Sequence, residues 1–282
     1  MTESTASIEP ELAGILRLDR PSEQSFREAC LRDGQPAVIT GAMDGWKALA
    51  QWSVSYFESA LGSSKVRVLK VPEGEDGGFF QVDDRKRFPT TDMTMKEYLE
   101  SLAQPGKPRY YLSSASLRVH FPSLLEDFEG PVYVPETYRA FPRLWVGKAG
   151  TVSPLHYDAS DKIHALVSGR KHFLLFDRNQ YSLLYPNSFF SNAPHISRVR
   201  FDRPDLRRFP RFRQVKARQT ELRAGEMLFL PAGWWHQVTS LETSIALEFP
   251  WPGPRWGRPF VRLAVWRMHQ RWRRRLAALV AR

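Results

Sequence analysis

The chain has one cysteine, Cys30, in 282 residues, so no disulfide can form within it. Its first residues, MTESTASIEPELAG, lack the basic start and the apolar run of a secretory signal. No stretch approaches about 18 apolar residues free of charge, because arginine interrupts even the aromatic C-terminal segment; this excludes a membrane-spanning helix. Together these absences predict an intracellular protein. Also missing are a glycine-rich phosphate loop, a CxxC pair and a GxSxG elbow, and with them the chemistry those motifs carry. There is no internal repeat or low-complexity tract.

What is present is globular composition, with 42% apolar, 13% aromatic and 25% charged residues. The net charge of +11 is concentrated in two places. Nine arginines and no acid lie within 255–282, and nine basic residues face only Asp202 and Asp205 within 198–218; the remainder is mildly acidic. The 198–218 segment reads as a solvated loop or as a contact for an acidic protein or nucleic acid. The tail, 254–282, reads as a basic amphipathic helix, with Met268, Trp272, Leu276 and Leu279 or Val280 at spacings of three and four. Dimerisation, a membrane surface and nucleic-acid contact are its three readings. A homodimer through this helix is the expectation, since Trp256, Trp266 and Trp272 are costly to expose.

Helical periodicity covers 22–33, 53–61 and 94–102, while 36–41 and 65–71 read as strands and 72–78 as a loop. From Arg109 the pattern changes to short strands at 109–114, 143–149, 162–168, 171–176, 218–223, 226–231 and 243–249. Gly169-Arg170 and Ala224-Gly225 read as hairpin turns. Many short strands without alternating long helices predict a mainly β jelly roll over 109–253, preceded by a mixed α/β region, 1–108, and followed by the helix of 254–282.

The chemistry is carried by two short segments. In an extended HYD (156–158), residues two apart share a face, so His156 and Asp158 converge on one point. His236 follows in AGEMLFLPAGWWHQV, 80 residues later on a different strand, and is placed either to supply a third ligand or to pack beside Trp234 and Trp235. Two histidines and one carboxylate on one face of an octahedron form the facial triad of non-haem Fe(II) oxygenases. Lys171 shares its strand face with Phe173 and Leu175. His172, Leu174 and Phe176 form an equally apolar opposite face, so alternation leaves its direction open.

These motifs, in TVSPLHYDASDKIHALVSGRKHFLLF and AGEMLFLPAGWWH, resemble the JmjC-type cupin hydroxylases, densest over 143–250 and weaker from Ile8 through Leu112. Within that family the residues resemble those of the asparaginyl hydroxylase acting on hypoxia-inducible factor and of the hydroxylase of tRNA wybutosine synthesis. The resemblance implies a double-stranded β-helix, with Fe(II) held by His156, Asp158 and His236, 2-oxoglutarate as cosubstrate and O₂ as oxidant. It implies that Lys171 meets the far carboxylate of 2-oxoglutarate, assisted by Ser153 and by Tyr111 or its neighbour Tyr110. The implied activity is hydroxylation of a protein side chain, a tRNA base or a small molecule, against an inactive cupin acting as a binding module. One departure stands out: Lys162 and Glu248 occupy positions where the asparaginyl hydroxylase has asparagines near the metal. Facing inward they form an ion pair at the cosubstrate's metal end; facing outward Lys162 is solvated. His164 shares the face of Lys162.

Overall fold

The structure, a computed structural model, describes residues 13–71 and 89–253. Two sheets dominate it. The larger joins β1 (Leu16–Asp19), β2 (Ala37–Thr40), β3 (Lys65–Lys70), β4 (Thr90–Thr94), β5 (Tyr110–Ser116), β6 (Arg143–Gly147), β8 (Ser160–Ser168), β11 (Met227–Leu230) and β13 (Ser244–Pro252). Its order is β1-β2-β11-β8-β13-β6-β5-β3-β4, antiparallel except for β1 with β2. The smaller sheet runs β10-β9-β12-β7, from β7 (Val152–Tyr157), β9 (Arg170–Phe176), β10 (Arg218–Arg223) and β12 (Trp235–Ser240). Strands of the N-terminal region thus flank the large sheet at both ends.

Alternation along β8 shows how the layers form. Ile163, Ala165 and Val167 enter the large core, in one cluster with Phe57, Leu61 and Leu99 of the helices Val54–Leu61 and Met95–Ala103. Residues of the other parity point between the sheets, with Leu166 packing among Phe173, Leu175, Leu228 and Trp234. The outer face of the small sheet is also covered: Leu155, Leu174, Phe176 and Trp235 pack against Leu184, Val199, Phe209 and Phe212 of the long connection between β9 and β10. Both helices start from a hydroxyl cap, Ser53 on Tyr56 N and Thr94 on Glu97 N, the second completed as a capping box by Glu97.

Two expectations are corrected. Gly169-Arg170 and Ala224-Gly225 are not hairpin turns, because in each case the strand before and the strand after lie in different sheets. β8 is already paired on both edges by β11 and β13, and β9 by β10 and β12, so neither has an edge free for the other. The turn at 169 instead carries the chain across the sandwich. It requires glycine, since φ is +82° and a Cβ would stand 2.4 Å from the Thr243 carbonyl. The helix expected over 22–33 is one α-turn, Glu23–Phe26, continued as a π-helical turn, Arg27–Leu31. The expected loop at 72–78 and the C-terminal helix of 254–282, with the dimer argued from it, lie outside the described residues.

Asp161 fastens the two halves of the motif region together. Its buried carboxylate accepts a hydrogen bond from Ala232 N at 2.7 Å, and Gly233 N donates to the Asp158 carbonyl at 2.8 Å. The turn at 231–234, with Gly233 at φ +83°, is therefore tied to the segment carrying Asp158 just before it delivers His236. Asp161→Ala leaves the Ala232 N–H buried without a partner and is expected to cost about 1–3 kcal/mol of stability, read from urea unfolding. An unchanged midpoint would show that the staple is not needed.

Candidate metal and cosubstrate site

His156 on β7 and His236 on β12 are direct cross-strand partners, with their rings 4.1 Å apart, and Asp158 follows the end of β7. Register thus delivers both imidazoles to one place although 80 residues separate them. One ligand atom from each of His156, Asp158 and His236 lies within 4.8 Å of the others. Asp158 Oδ2 stands 3.8 Å from His156 Nε2 and 3.5 Å from His236 Nε2.

The opposite ring nitrogens are occupied. His156 Nδ1 lies 2.6 Å from the Pro154 carbonyl and His236 Nδ1 lies 3.1 Å from the Trp234 carbonyl. A carbonyl can only accept, so each Nδ1 carries the proton and each Nε2 presents a lone pair toward Asp158. Burial pushes both imidazoles below the usual histidine range, which keeps them neutral and able to ligate. Burial opposes ionisation of Asp158, but the Lys162 ammonium holds its carboxyl well below the usual range. Two neutral imidazoles and a carboxylate, with second nitrogens fixed by backbone, are a donor set that fits Fe(II).

The triad opens into a cavity of about 300 Å³ between the sheets. The small sheet contributes Ser153, Lys171, Phe173 and Val238 to its wall, and the large sheet Tyr111, Trp145, Lys162, His164 and Glu248. Lys171 therefore points inward with Phe173, while Leu174 and Phe176 pack outward beneath the β9–β10 connection. Only 1% exposed, Lys171 makes no hydrogen bond or ion pair among the described residues. Burial pulls its ammonium down to about 8, with Glu248 opposing. Lys171 pairs in register with Ser240, four residues along β12 from His236, an offset of about 13 Å at strand rise. Tyr111 faces the cavity and shares a hydrogen bond with Ser153, whereas Tyr110 does not line it.

The departure at Lys162 has a geometric outcome. Its ammonium is buried between two carboxylates, bonded to Asp158 Oδ2 and 3.3 Å from Glu248 Oε2. Burial alone would lower the pKa of Lys162, but Asp158 and Glu248 raise it above the ordinary value. His164, whose Nδ1 is 3.9 Å from the same Glu248 oxygen, is pushed down by burial to about 4. Lys162→Met leaves both carboxylates without their cation, Glu248 the more deeply buried of the two, and a loss of about 3–5 kcal/mol in thermal or urea unfolding is expected. Adding Glu248→Met should restore most of it; a double variant as unstable as the single one would show that packing, not charge, is responsible.

Reading the sequence did not single out His195 or the segment around it. Ser197 N donates to the Leu155 carbonyl at 2.8 Å and Tyr157 N to the His195 carbonyl at 3.1 Å, so this stretch lies along the open edge of β7 and brings His195 to the cavity wall. No periodicity marks such an edge contact. Further on, several arginines of 198–218 lie over the protein's own rings: Arg198 and Arg208 over Phe209, Arg211 over Tyr185 and Arg218 over Trp234. No helix among the described residues is long and apolar enough to cross a membrane.

Comparison with known proteins adds to this geometry. The sequence profile of the "Cupin-like domain" family matches residues 23–254. The chain is 32% identical to "Lysine-specific demethylase 8" of Xenopus tropicalis over 242 residues, 84% of this chain and 52% of that protein. It is 30% identical to the human "Bifunctional peptidase and (3S)-lysyl hydroxylase JMJD7" over 261 residues, 82% of each. It is also 30% identical to "tRNA wybutosine-synthesizing protein 5" of Gallus gallus, over 88% of this chain and 78% of that protein. The chain thus spans about half the length of the demethylase and most of the other two.

Proposed function

The chain belongs to the cupin-like JmjC family, and from that premise we propose that it is an Fe(II)- and 2-oxoglutarate-dependent oxygenase that hydroxylates a protein side chain. The observation that carries this reading is one cavity holding both a set of two imidazoles and a carboxylate and, further along the sheet, a buried lysine without a partner among the described residues. His156, Asp158 and His236 hold the metal. Iron bound there supplies the oxidative decarboxylation of 2-oxoglutarate to succinate and CO₂, coupled to insertion of one oxygen atom of O₂ into a substrate C–H bond.

The remaining residues bind, orient and exclude. Lys171 receives the far carboxylate of 2-oxoglutarate, and Tyr111 and Ser153 assist it with hydroxyls. Burying an ammonium this deeply is costly unless an anion comes to it. Trp145, Phe173, Leu230 and Val238 keep the cavity wall apolar, which strengthens each charge contact inside it. Lys162 holds Asp158 from the side facing Glu248 and so fixes the carboxylate while the Nδ1–carbonyl bonds fix the imidazoles.

The test is intact-mass screening of peptide, tRNA and metabolite pools with the full-length protein, Fe(II), 2-oxoglutarate and O₂. A 16 Da gain on a peptide, with matching succinate, is expected. Absence of both metal uptake and succinate would overturn the oxygenase assignment, and a 16 Da gain confined to tRNA or to a metabolite would overturn the choice of substrate.

A further inference from the structure

A second cavity of about 290 Å³ lies beside the first, and the two share Leu69, Ser113 and Ser114 as a common wall. Along that wall β5 slips register against β6 between Leu112 and Ala115. Ser114 there has φ +56°, in the left-handed region that residues other than glycine seldom adopt. Bulges of this kind re-aim side chains beside active sites. Here the bulge places Ser113 and Ser114 on both cavities.

Charge in the second cavity is unevenly answered. Arg67 is neutralised by a two-pronged pair with Asp92 at 2.7 and 2.9 Å. Arg143 has no carboxylate partner among the described residues, and its one hydrogen bond is a long one, 3.4 Å from Nη1 to the Ser114 carbonyl. His120 also lacks an acidic partner among the described residues, and no side-chain hydrogen bond ties the hydroxyls of Ser113, Ser114 or Ser116 there. A single guanidinium fork in a cavity that serine side chains also line matches one carboxylate. Tracking a nucleic-acid backbone instead asks for a row of cations and for exposed rings on which bases stack. With Arg67 cancelled and Phe121 buried, this cavity offers neither.

We propose that the Arg143 cavity is a substrate subsite, receiving the carboxylate of an acidic residue that flanks the side chain presented to His156, Asp158 and His236; this rests on the oxygenase reading above. It makes an acidic flank a specificity element of the protein substrate.

The test uses the full-length protein with Mn(II) and 2-oxoglutarate. Binding is followed by fluorescence anisotropy for labelled 12-residue peptides carrying four glutamates, four glutamines or four lysines in one Gly/Ser/Ala background, and for a U12 RNA. Wild-type protein is expected to favour the glutamate over the glutamine peptide by about tenfold or more. Arg143→Gln should abolish that preference, and Arg143→Glu should turn it toward the lysine peptide. Arg143 is exposed, and calorimetry should show unchanged Mn(II) and 2-oxoglutarate binding in both variants. A glutamate preference that survives Arg143→Gln overturns the subsite, since basic surfaces elsewhere then produce it. Dependence on Arg143 seen for U12 alone overturns the acidic peptide as ligand. A wild-type protein that takes up neither Mn(II) nor 2-oxoglutarate counts against the oxygenase reading alone, and an Arg143-dependent glutamate preference would still identify an acidic-peptide site.

Discussion

Asp158→Ala and His156→Ala are each expected to lose Fe(II) binding and to release no succinate from 2-oxoglutarate, while circular dichroism and the melting temperature stay near the wild-type values. These two ligands separate chemistry from folding better than the third. Their side chains are 32% and 20% exposed, whereas His236 is 4% exposed, so truncating His236 would also open a hole in the buried wall of the cavity. Losing the carboxylate removes the only anion among the three ligands and leaves Lys162 facing Glu248 alone. Metal content by elemental analysis and succinate by mass spectrometry report the two effects separately. Succinate release at the wild-type rate from either variant would overturn the metal assignment.

The second large effect is expected at Lys171. Lys171→Ala should raise the 2-oxoglutarate concentration needed for half-maximal turnover by one to three orders of magnitude, following about 1.5–3 kcal/mol for a charge-assisted hydrogen bond with further loss from a desolvated carboxylate left unpaired. The fold should tolerate the change, because the substitution removes a buried charge that has no partner among the described residues. Near-normal 2-oxoglutarate affinity in the variant would place Lys171 outside the cosubstrate site.

The same residue predicts two opposite pH trends. With its pKa drawn down by burial to about 8 from an ordinary 10.5, Lys171 is charged in both folded and unfolded chains below pH 8. Between about pH 8 and 10.5 the unfolded chain holds the extra proton, so this group's contribution makes the ligand-free fold more stable as pH rises. Affinity for 2-oxoglutarate should meanwhile weaken above pH 8, as the ammonium that receives the carboxylate is lost. Calorimetric titrations from pH 7 to 9.5, with Lys171→Ala as the reference that lacks the trend, check this directly. A flat pH profile in the wild type would remove the ammonium from the binding step.

The family resemblance and the shape of the site rest on features a linear sequence can carry. HYD puts two candidate ligands two residues apart in an extended segment at the end of a strand, and WWH sits at the start of a strand after a proline–glycine turn, so both segments could be read locally. The strand pattern from Arg109 onward was legible for the same reason: short apolar runs between glycine, proline and polar turns. Sharing a face is a local property; which face meets the cavity is not. Both faces of β9 are apolar because one lines the space between the sheets and the other is roofed by the long connection through Phe209 and Phe212, so the direction of Lys171 was decided only when that connection folded over the outer side. Tyr111 was distinguished from Tyr110 by packing near Gly147, where a Cβ would stand 3.0 Å from the Tyr111 ring. The turns at 169 and 224 resembled hairpins because tight turns have the same residues whether or not their strands pair; pairing depends on which edges other strands have already taken. That Lys162 and Glu248 could pair was legible, but not whether they do: they stand on neighbouring strands of the large sheet, β8 and β13, and only packing decided that both side chains turn inward, where Asp158 joins them. Sequence thus picked out the candidate ligands, and tertiary structure decided which faces and which charges meet, because meeting requires contacts between segments that the chain itself keeps far apart.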